Sequence, residues 1–323
     1  MEEMPGYIQD VLDLIEWANG PATSKWGAVR AAAGHPEPFG LKYLGVGNED
    51  AITPEFKERF AMINDVLKKK HPEIVVIGTS GPFPDGEDFD LGWEFARELN
   101  LAMVDEHYYR SPQWFWENLH RYDSYDRDGP KVYVGEYAAH EPDRRNTLRT
   151  ALAEAAYLTS LERNGDIVVF SSFAPLLARR GHTQWHPDMI YFNATEVFPS
   201  INHQVQRLFG QNSGDALLPA TMDGLPDDAR VAFSVVRDSA SGDVIIKLVN
   251  GTEDAFSARI ELAPETSTSA RRLVATVLTG DNPDVVNEDG QPPAAQPVVE
   301  ESTVGATLER TFPAHSLTVL RLH

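Results

Sequence analysis

The amino-acid sequence predicts an α/β domain of the (β/α)₈ TIM-barrel type, followed by an all-β domain with the pattern of an antiparallel β-sandwich. Residues 1–211 alternate short apolar segments with amphipathic stretches of helical length, as βα units do. Polar residues follow the apolar segments directly, at the strand ends where a barrel has its active site. Residues 212–323 contain short β-rich segments separated by turn residues, which is typical of a sandwich.

The first domain contains five predicted strands, at residues 41–46, 74–78, 101–104, 131–134 and 166–173. Helices are predicted at residues 7–19, 53–70, 91–99, 112–125, 144–163 and 196–209. A doubly wound sheet is the competing interpretation, but no G-x-G-x-x-G loop supports a nucleotide site. Five βα units are too few to close an eight-stranded barrel, so we expect an incomplete barrel with exposed edges.

The second domain contains six predicted strands, at residues 230–236, 244–250, 256–262, 271–278, 306–312 and 316–322. Turn residues such as Ser241-Gly242-Asp243 separate them. The stretch 281–302 is rich in proline and acidic residues, which predicts an exposed loop. We therefore place the domain boundary between residues 211 and 212.

The composition restricts the classes of function. With 28 basic and 49 acidic residues the net charge is −21, which disfavours nucleic-acid binding. The chain has no cysteine, which excludes disulfides, thiol nucleophiles and cysteine metal sites. No apolar run is long enough for a membrane span, and residues 1–10 lack the pattern of a signal peptide. We expect a cytoplasmic protein without membrane contact, and a homo-oligomer is one open possibility.

Two glutamates are the leading catalytic candidates. Glu49 and Glu136 each follow an apolar strand and a glycine, so in a barrel both would face the same mouth. Glycoside cleavage needs one protonated carboxyl for the leaving group and one carboxylate facing the anomeric carbon. Asn48, beside Glu49, can hold a sugar hydroxyl. A Ser/His/Asp hydrolase is the rival chemistry, but the sequence has no G-x-S-x-G elbow.

Three further residues are candidates for substrate binding. His107 and Tyr109 alternate on one strand end, so their side chains point the same way, and the phenol of Tyr109 could hold Glu136. A purely structural histidine is the alternative for His107. Trp185 lies in a polar loop after the fifth strand and could stack on a sugar ring. The run Asp105-Glu106-His107 does not predict a metal site, because neighbours on a strand point to opposite faces.

Several segments resemble the α-L-arabinofuranosidases of glycoside hydrolase family 51. They are YLGVGNEDAITPEFKERFAMINDVLKKKHPEIVVIGTSGPFPDG, VDEHYYRSPQWFWENLHRYDSYDR, KVYVGEYAAH and the ending FPAHSLTVLRLH. The resemblance covers essentially the whole chain. It implies a retaining double displacement without a cofactor, with Glu136 as nucleophile and Glu49 as general acid/base. It also implies that Asn48, His107 and Tyr109 bind substrate, and leaves Gln184 and Asp188 as candidates for a polar residue after the last barrel strand.

The resemblance also implies what is missing and what the substrate is. Residues 1–19 match the segment ahead of the family's fourth strand, so the first three βα units would be absent. The implied activity is removal of terminal arabinofuranosyl residues from arabinosides, arabinan or arabinoxylan. Two alternatives stay open: an inactive fragment or carbohydrate-binding remnant, and another retaining barrel glycosidase such as a β-xylosidase or endoglucanase.

Overall fold

A five-stranded sheet forms the framework of the N-terminal half. The structure is a computed structural model that describes residues 2–226, 229–262, 271–288, 290–305 and 307–323. The strands are β1 Tyr43–Gly45, β2 Val75–Thr79, β3 Met103–Arg110, β4 Lys131–Ala139 and β5 Val168–Phe173. They lie in the order β1-β2-β3-β4-β5, and β1 and β3 both pair in parallel with β2. The predicted incomplete barrel is confirmed.

Seven α-helices are found among the described residues. They are α1 Met4–Asn19, α2 Lys25–Ala32, α3 Pro54–Lys70, α4 Glu87–Glu98, α5 Pro112–Glu117, α6 Leu148–Arg163 and α7 Ile201–Gln211. The Thr53 hydroxyl accepts the N–H of Phe56 and caps α3, as the Thr-Pro pair predicts. None of these helices is long and apolar enough to cross a membrane.

Three helix predictions differ from the structure. The last helix was predicted from residue 196, but residues 197–199 form a strand and α7 begins at Ile201. Helix α2 lies in a segment that the sequence predicted as a loop, and the Ser24 side chain caps it. The aromatic-rich stretch predicted as one helix is α5 followed by a 3₁₀ turn at Arg121–Ser124. At the end of α5 the Asn118 amide donates to the Trp114 carbonyl. This bond competes with continuation of the helix.

The chain divides into two compact units. The first comprises Met1–Tyr108, Asp126–Gly135 and Val169–Ser171, and the second comprises Tyr109–Tyr125, Glu136–Val168 and Ser172–His323. Strands β3, β4 and β5 therefore contribute residues to both.

Within the first unit, aromatic rings from three strands meet. Phe170 of β5 packs edge-on against Tyr43 of β1 at 4.8 Å and against Tyr133 of β4 at 6.0 Å between ring centroids. Tyr43 and Phe170 stand on the first and the last strand of the sheet order. The sheet is therefore curled, as in half of a barrel.

The second unit contains a small sheet that the sequence did not predict. Its strands are β6 Leu177–Arg179, β7 Ile190–Phe192 and β8 Val197–Pro199, with β6–β7 parallel and β7–β8 antiparallel. Strands of three residues are too short to show a period of two in the sequence. This sheet frames the loop that carries Trp185.

The C-terminal strands form the predicted sandwich. They are β9 Ala216–Leu217, β10 Val231–Asp238, β11 Asp243–Asn250, β12 Phe256–Glu261, β13 Arg271–Thr279, β14 Val298–Val304, β15 Thr307–Phe312 and β16 Ser316–Leu322. One sheet has the order β14-β13-β16-β11-β10-β9, and β12 pairs with β15. Side chains such as Ile246, Phe312 and Leu320 fill the core. The boundary at residues 211/212 stays a prediction, although α7 ends there.

One sandwich strand lies where the sequence predicted an exposed loop. Strand β14 overlaps the end of the 281–302 stretch and pairs antiparallel with β13 along its length. It is an edge strand whose residues are mostly exposed, so it lacks the apolar alternation that marks a half-buried strand. Residue 289 of the predicted loop and residue 306 of a predicted strand lie outside the described residues.

A buried ion pair connects helix α6 to the sandwich. The Lys247 ammonium of β11 is fully buried and lies 2.6 Å from Oε1 of Glu162 at the end of α6. The Ser234 hydroxyl of β10 donates to the other Glu162 oxygen. Burial lowers the pKa of Lys247, and the Glu162 carboxylate opposes that shift. The Glu162 carboxylate therefore stabilises the charged form of Lys247, which β11 buries.

We expect Glu162→Gln to destabilise the protein by about 3–5 kcal/mol, because it leaves the buried ammonium of Lys247 without its carboxylate. Lys247→Met should cost less, since the remaining Glu162 side chain is partly exposed and keeps its bond from Ser234. Urea unfolding of each variant measures these free energies. The double variant should be more stable than Glu162→Gln alone, and additive losses would contradict the coupling.

Candidate active site

Glu49 lies in a tight turn after β1. Gly47 has φ 94° and Glu49 has φ 56°, both in the left-handed region. A Cβ at Gly47 would come within 2.7 Å of Asp50 Oδ2 and 3.1 Å of two neighbouring side chains. Asp50 also accepts the backbone N–H of Asn48 at 2.7 Å. A non-glycine residue held in this conformation is frequent at functional sites, and here the turn presents the Glu49 carboxyl.

His107 joins Glu49 to a second carboxylate. Its Nδ1 lies 3.0 Å from Oε1 of Glu49, and its Nε2 lies 3.0 Å from Oδ2 of Asp105. The His107 side chain is only 2% exposed. A neutral imidazole that donates from Nε2 to Asp105 has Nδ1 as the acceptor of a hydrogen bond from a protonated Glu49. This tautomer can therefore hold the Glu49 carboxyl in one orientation.

Gly135 makes room for this arrangement. A Cβ at position 135 would lie 2.0 Å from Oδ1 of Asp105. Any side chain there would displace Asp105, and with it the partner of His107 Nε2. The glycine ahead of Glu136, which the sequence marked only as part of a strand end, is therefore a steric requirement.

Glu106 faces away from this cluster. Its fully buried carboxylate accepts the indole N–H of Trp93 on α4 at 3.1 Å. Asp105 and His107 thus lie on one side of β3 and Glu106 on the other, as alternation along a strand requires.

In the second unit, Glu136 is held by Tyr109. The phenol O–H of Tyr109 donates to Oε2 of Glu136 over 2.5 Å. Glu136 is half-buried near the end of β4. A hydroxyl that donates to a carboxylate fixes the orientation of that carboxylate. This arrangement suits a carboxylate nucleophile.

Aromatic and basic side chains surround the Tyr109 ring. His140 stacks on it at 5.0 Å and 13°, and Trp185 lies 5.6 Å from it at a tilt. The Arg144 guanidinium lies 5.3 Å from the Trp185 ring and donates to His140 Nδ1 at 2.6 Å. Burial, with Arg144 adding to it, lowers the pKa of His140 to about 4. His140 is therefore a neutral stacking partner at ordinary pH.

The predicted residues are divided between the two units. Glu49 and His107 are hydrogen-bonded in the first unit, and Glu136, Tyr109 and Trp185 lie in the second. The Asn48 side chain is exposed beside Glu49. The catalytic and substrate-binding roles of these residues stay predictions.

The two alternatives after the last strand differ in burial. Gln184 is exposed, whereas Asp188 is 2% exposed and its backbone N–H is bonded to the Tyr191 hydroxyl at 2.9 Å. Burial raises the pKa of Asp188. Neither observation decides which of them contacts a sugar, so both stay predictions.

Sequence reasoning did not identify three residues at these clusters. Asp105 was considered only as a metal ligand, although the alternation of β3 places it on the face of His107. His140 ends the segment KVYVGEYAAH and Arg144 follows it, but the sequence assigned no role to either, and only their packing against Tyr109 and Trp185 reveals them. No local pattern in the sequence marks that contact.

The fold and these strand-end groups define the class of protein. A curled sheet of βα units with glutamates at the ends of β1 and β4, followed by a β-sandwich, is the architecture of a barrel glycoside hydrolase. Residues 1–127 match the α-L-arabinofuranosidase 1 domain, and residues 124–316 match the α-L-arabinofuranosidase C-terminal domain. The chain belongs to the α-L-arabinofuranosidases of glycoside hydrolase family 51.

Similar proteins agree with this family. The chain is 51% identical over 221 residues to an extracellular exo-α-L-arabinofuranosidase of Streptomyces chartreusis, covering 68% of this chain and 26% of the relative. It is 33% identical over 255 residues to α-L-arabinofuranosidase 2 of Arabidopsis thaliana, covering 79% of this chain and 36% of the relative. The chain thus spans about a quarter to a third of the length of these two relatives.

Solved structures show the same fold. The arabinose-bound family 51 α-L-arabinofuranosidase MgGH51 superposes with a TM-score of 0.86 and 33% identity, covering 99% of this chain and 51% of that one. The arabinose complex of the α-L-arabinofuranosidase from Thermotoga maritima superposes with a TM-score of 0.76 at 17% identity, covering 97% and 73%. The second match supports the fold alone.

Proposed function

We propose that this protein is a retaining α-L-arabinofuranosidase that removes terminal non-reducing arabinofuranosyl residues from arabinosides, arabinan or arabinoxylan. One observation carries the proposal: the two strand-end glutamates have different partners. Glu136 accepts a phenol O–H, whereas Glu49 faces an imidazole that is bonded to Asp105. Two carboxyl groups in contrasting environments are what a retaining glycosidase requires.

The reaction follows from these two environments. The Glu136 carboxylate attacks C1 of the arabinofuranosyl residue, while Glu49 gives its proton to the departing glycosidic oxygen. The products of this step are a glycosyl ester on Glu136 and a free alcohol. Glu49 then removes a proton from water, which attacks C1 and releases arabinose with retained configuration. Glu49 thus regains from water the proton that it gave to the leaving group, and His107, bonded to Asp105, can hold the Glu49 carboxyl in place through both steps.

A panel of nitrophenyl glycosides tests the proposal. We expect hydrolysis of the α-L-arabinofuranoside and at least about 100-fold less of the β-D-xyloside and β-D-cellobioside, a ratio of the size that a site built for one sugar's hydroxyls reaches. NMR during the first turnovers should show the α-anomer of arabinose first. Preference for the xyloside or the cellobioside would establish another retaining glycosidase. Equal, negligible turnover by the wild type and Glu136→Ala, with sugar binding retained, would establish an inactive remnant.

A further inference from the structure

A buried carboxylate on helix α6 lies behind the strand end that carries Glu136. Glu154 is fully buried, and its Oε1 accepts the backbone N–H of Ala139 at 2.9 Å. Ala139 is the last residue of β4, three positions after Glu136. The other oxygen, Oε2, accepts the side-chain N–H of Asn202 on α7 at 2.8 Å. One carboxylate therefore joins β4, α6 and α7.

Hydrogen bonds continue from Asn202 to the small sheet. Asn202 Oδ1 accepts from the Asn146 amide at 3.2 Å, and the Tyr191 hydroxyl lies 3.4 Å from Asn146 Oδ1. The backbone N–H of Asp188 donates to the Tyr191 hydroxyl at 2.9 Å. The network thus extends from the end of β4 to the segment that follows Trp185.

The last part of the network reaches Trp185 itself. The Thr183 hydroxyl lies 3.4 Å from Asp188 Oδ2 and accepts the backbone N–H of Trp185 at 3.2 Å. The Trp185 ring in turn packs against Tyr109, the residue that donates to Glu136. Both ends of the network therefore meet at Glu136: one through the backbone of β4, and the other through the ring of Tyr109.

We propose that Glu154 is a positioning residue that fixes the end of β4 and the Trp185 segment, and thereby orients Glu136 for attack. The proposal rests on the proposed function of Glu136. Glu154 acts through two hydrogen bonds that converge on its two oxygens, from the Ala139 backbone and the Asn202 amide. An ionised carboxylate accepts at both places without a competing donor, whereas a protonated one has an O–H at one of them.

Protonation of Glu154 has a defined effect on the network. Burial raises the pKa of this carboxyl to about 8, and the bonds from Asn202 and Ala139 oppose the rise. On β4, Glu154 interacts with the phenol of Tyr137, which is neutral. On α7, it is bonded to the Asn202 amide, which does not titrate. Below this pKa one acceptor becomes an O–H. A glutamine at position 154, with one acceptor and one donor, reproduces that state.

The test compares Glu154→Gln with a double variant that restores the bonds. In Glu154→Gln the new amide N–H faces the N–H of Asn202, and two donors cannot bond to each other, so this bond is lost. Adding Asn202→Asp puts an acceptor opposite that amide, and the second Asp oxygen can still accept from Asn146. At a pH above about 8, where the wild-type carboxyl is ionised, we expect Glu154→Gln to lower kcat on the aryl α-L-arabinofuranoside about tenfold with KM changed less than twofold, and the double variant to recover most of this loss.

Two further measurements separate positioning from stability. The ratio of wild-type to Glu154→Gln turnover should rise as the pH increases through about 8, because the wild type gains its second acceptor there. Hydrogen exchange should increase in Glu154→Gln in segments 137–141 and 183–191, and this readout needs no activity. Thr159→Val is the matched control, since Thr159 is equally buried on α6 but bonds only to Ala156 of the same helix among the described residues.

Each outcome decides the question. Unchanged kcat and exchange above pH 8 in a folded Glu154→Gln variant would overturn the proposal, and so would a folded double variant without recovery at that pH. If Glu154→Gln does not fold, Asn146→Ala interrupts the network at a partly exposed residue, and exchange at 183–191 should still increase. If the wild type does not hydrolyse arabinofuranosides, the proposed function fails, and hydrogen exchange alone decides whether Glu154 fixes these segments.

Discussion

Replacing Glu136 by alanine should lower kcat on the aryl α-L-arabinofuranoside by about 10⁴-fold or more, the scale seen when a group of a catalytic unit is removed. Without the carboxylate no glycosyl ester forms, so neither half of the double displacement proceeds. Tyr109 would retain its position but lose its acceptor. Intact-mass analysis after a slow fluoro-sugar substrate measures the loss of the covalent intermediate directly. The wild type should gain the mass of one fluorinated glycosyl group and the variant should gain none.

Azide distinguishes a missing nucleophile from a general loss of structure. The anion fits the space of the deleted carboxylate and attacks C1 from the same face, so Glu136→Ala should form arabinofuranosyl azide of inverted configuration when the leaving group is good. An exposed carboxylate on α3, Glu58, gives the control variant Glu58→Ala, which should behave as the wild type. A glycosylated Glu136→Ala enzyme would show that another residue is the nucleophile.

Replacing Glu49 by alanine should have an effect that depends on the leaving group. For an unactivated arabino-oligosaccharide we expect a loss of about 10²–10⁴-fold, the usual contribution of a general acid. For a dinitrophenyl arabinofuranoside the first step needs little proton donation, so the loss there should be ~10-fold or less. A plot of log kcat/KM against leaving-group pKa measures this, and its slope should be steeper in the variant.

The second step provides an independent check on Glu49. With an activated substrate the glycosyl ester of Glu49→Ala should accumulate, because water lacks its general base. Azide needs no base and should release the sugar as an azide of retained configuration, opposite to the product of Glu136→Ala. Equal losses on good and poor leaving groups would argue against Glu49 as the acid.

Much of the architecture could be predicted from local sequence patterns. The apolar strands that end in Gly-Asn-Glu and Gly-Glu, and the Thr53-Pro54 helix start, all lie where the structure has them. These features depend on neighbouring residues in the chain, through side-chain alternation, helix periodicity and capping. The predictions that were wrong, such as a loop at β14, concern an exposed edge strand whose order comes from its pairing with β13.

Local patterns and motifs in the sequence were enough to predict the fold class and the family, whereas the roles of Glu49, Glu136, His107 and Tyr109 stay predictions. The tertiary structure alone decided which groups those residues meet: Asp105 on the far side of His107, His140 stacked on Tyr109, and Glu154 behind the end of β4. Ala139 and Asn202 lie 15 and 48 residues from Glu154 in the chain. No periodicity spans such distances, because a hydrogen bond between packed elements depends on how they fold together and not on local sequence.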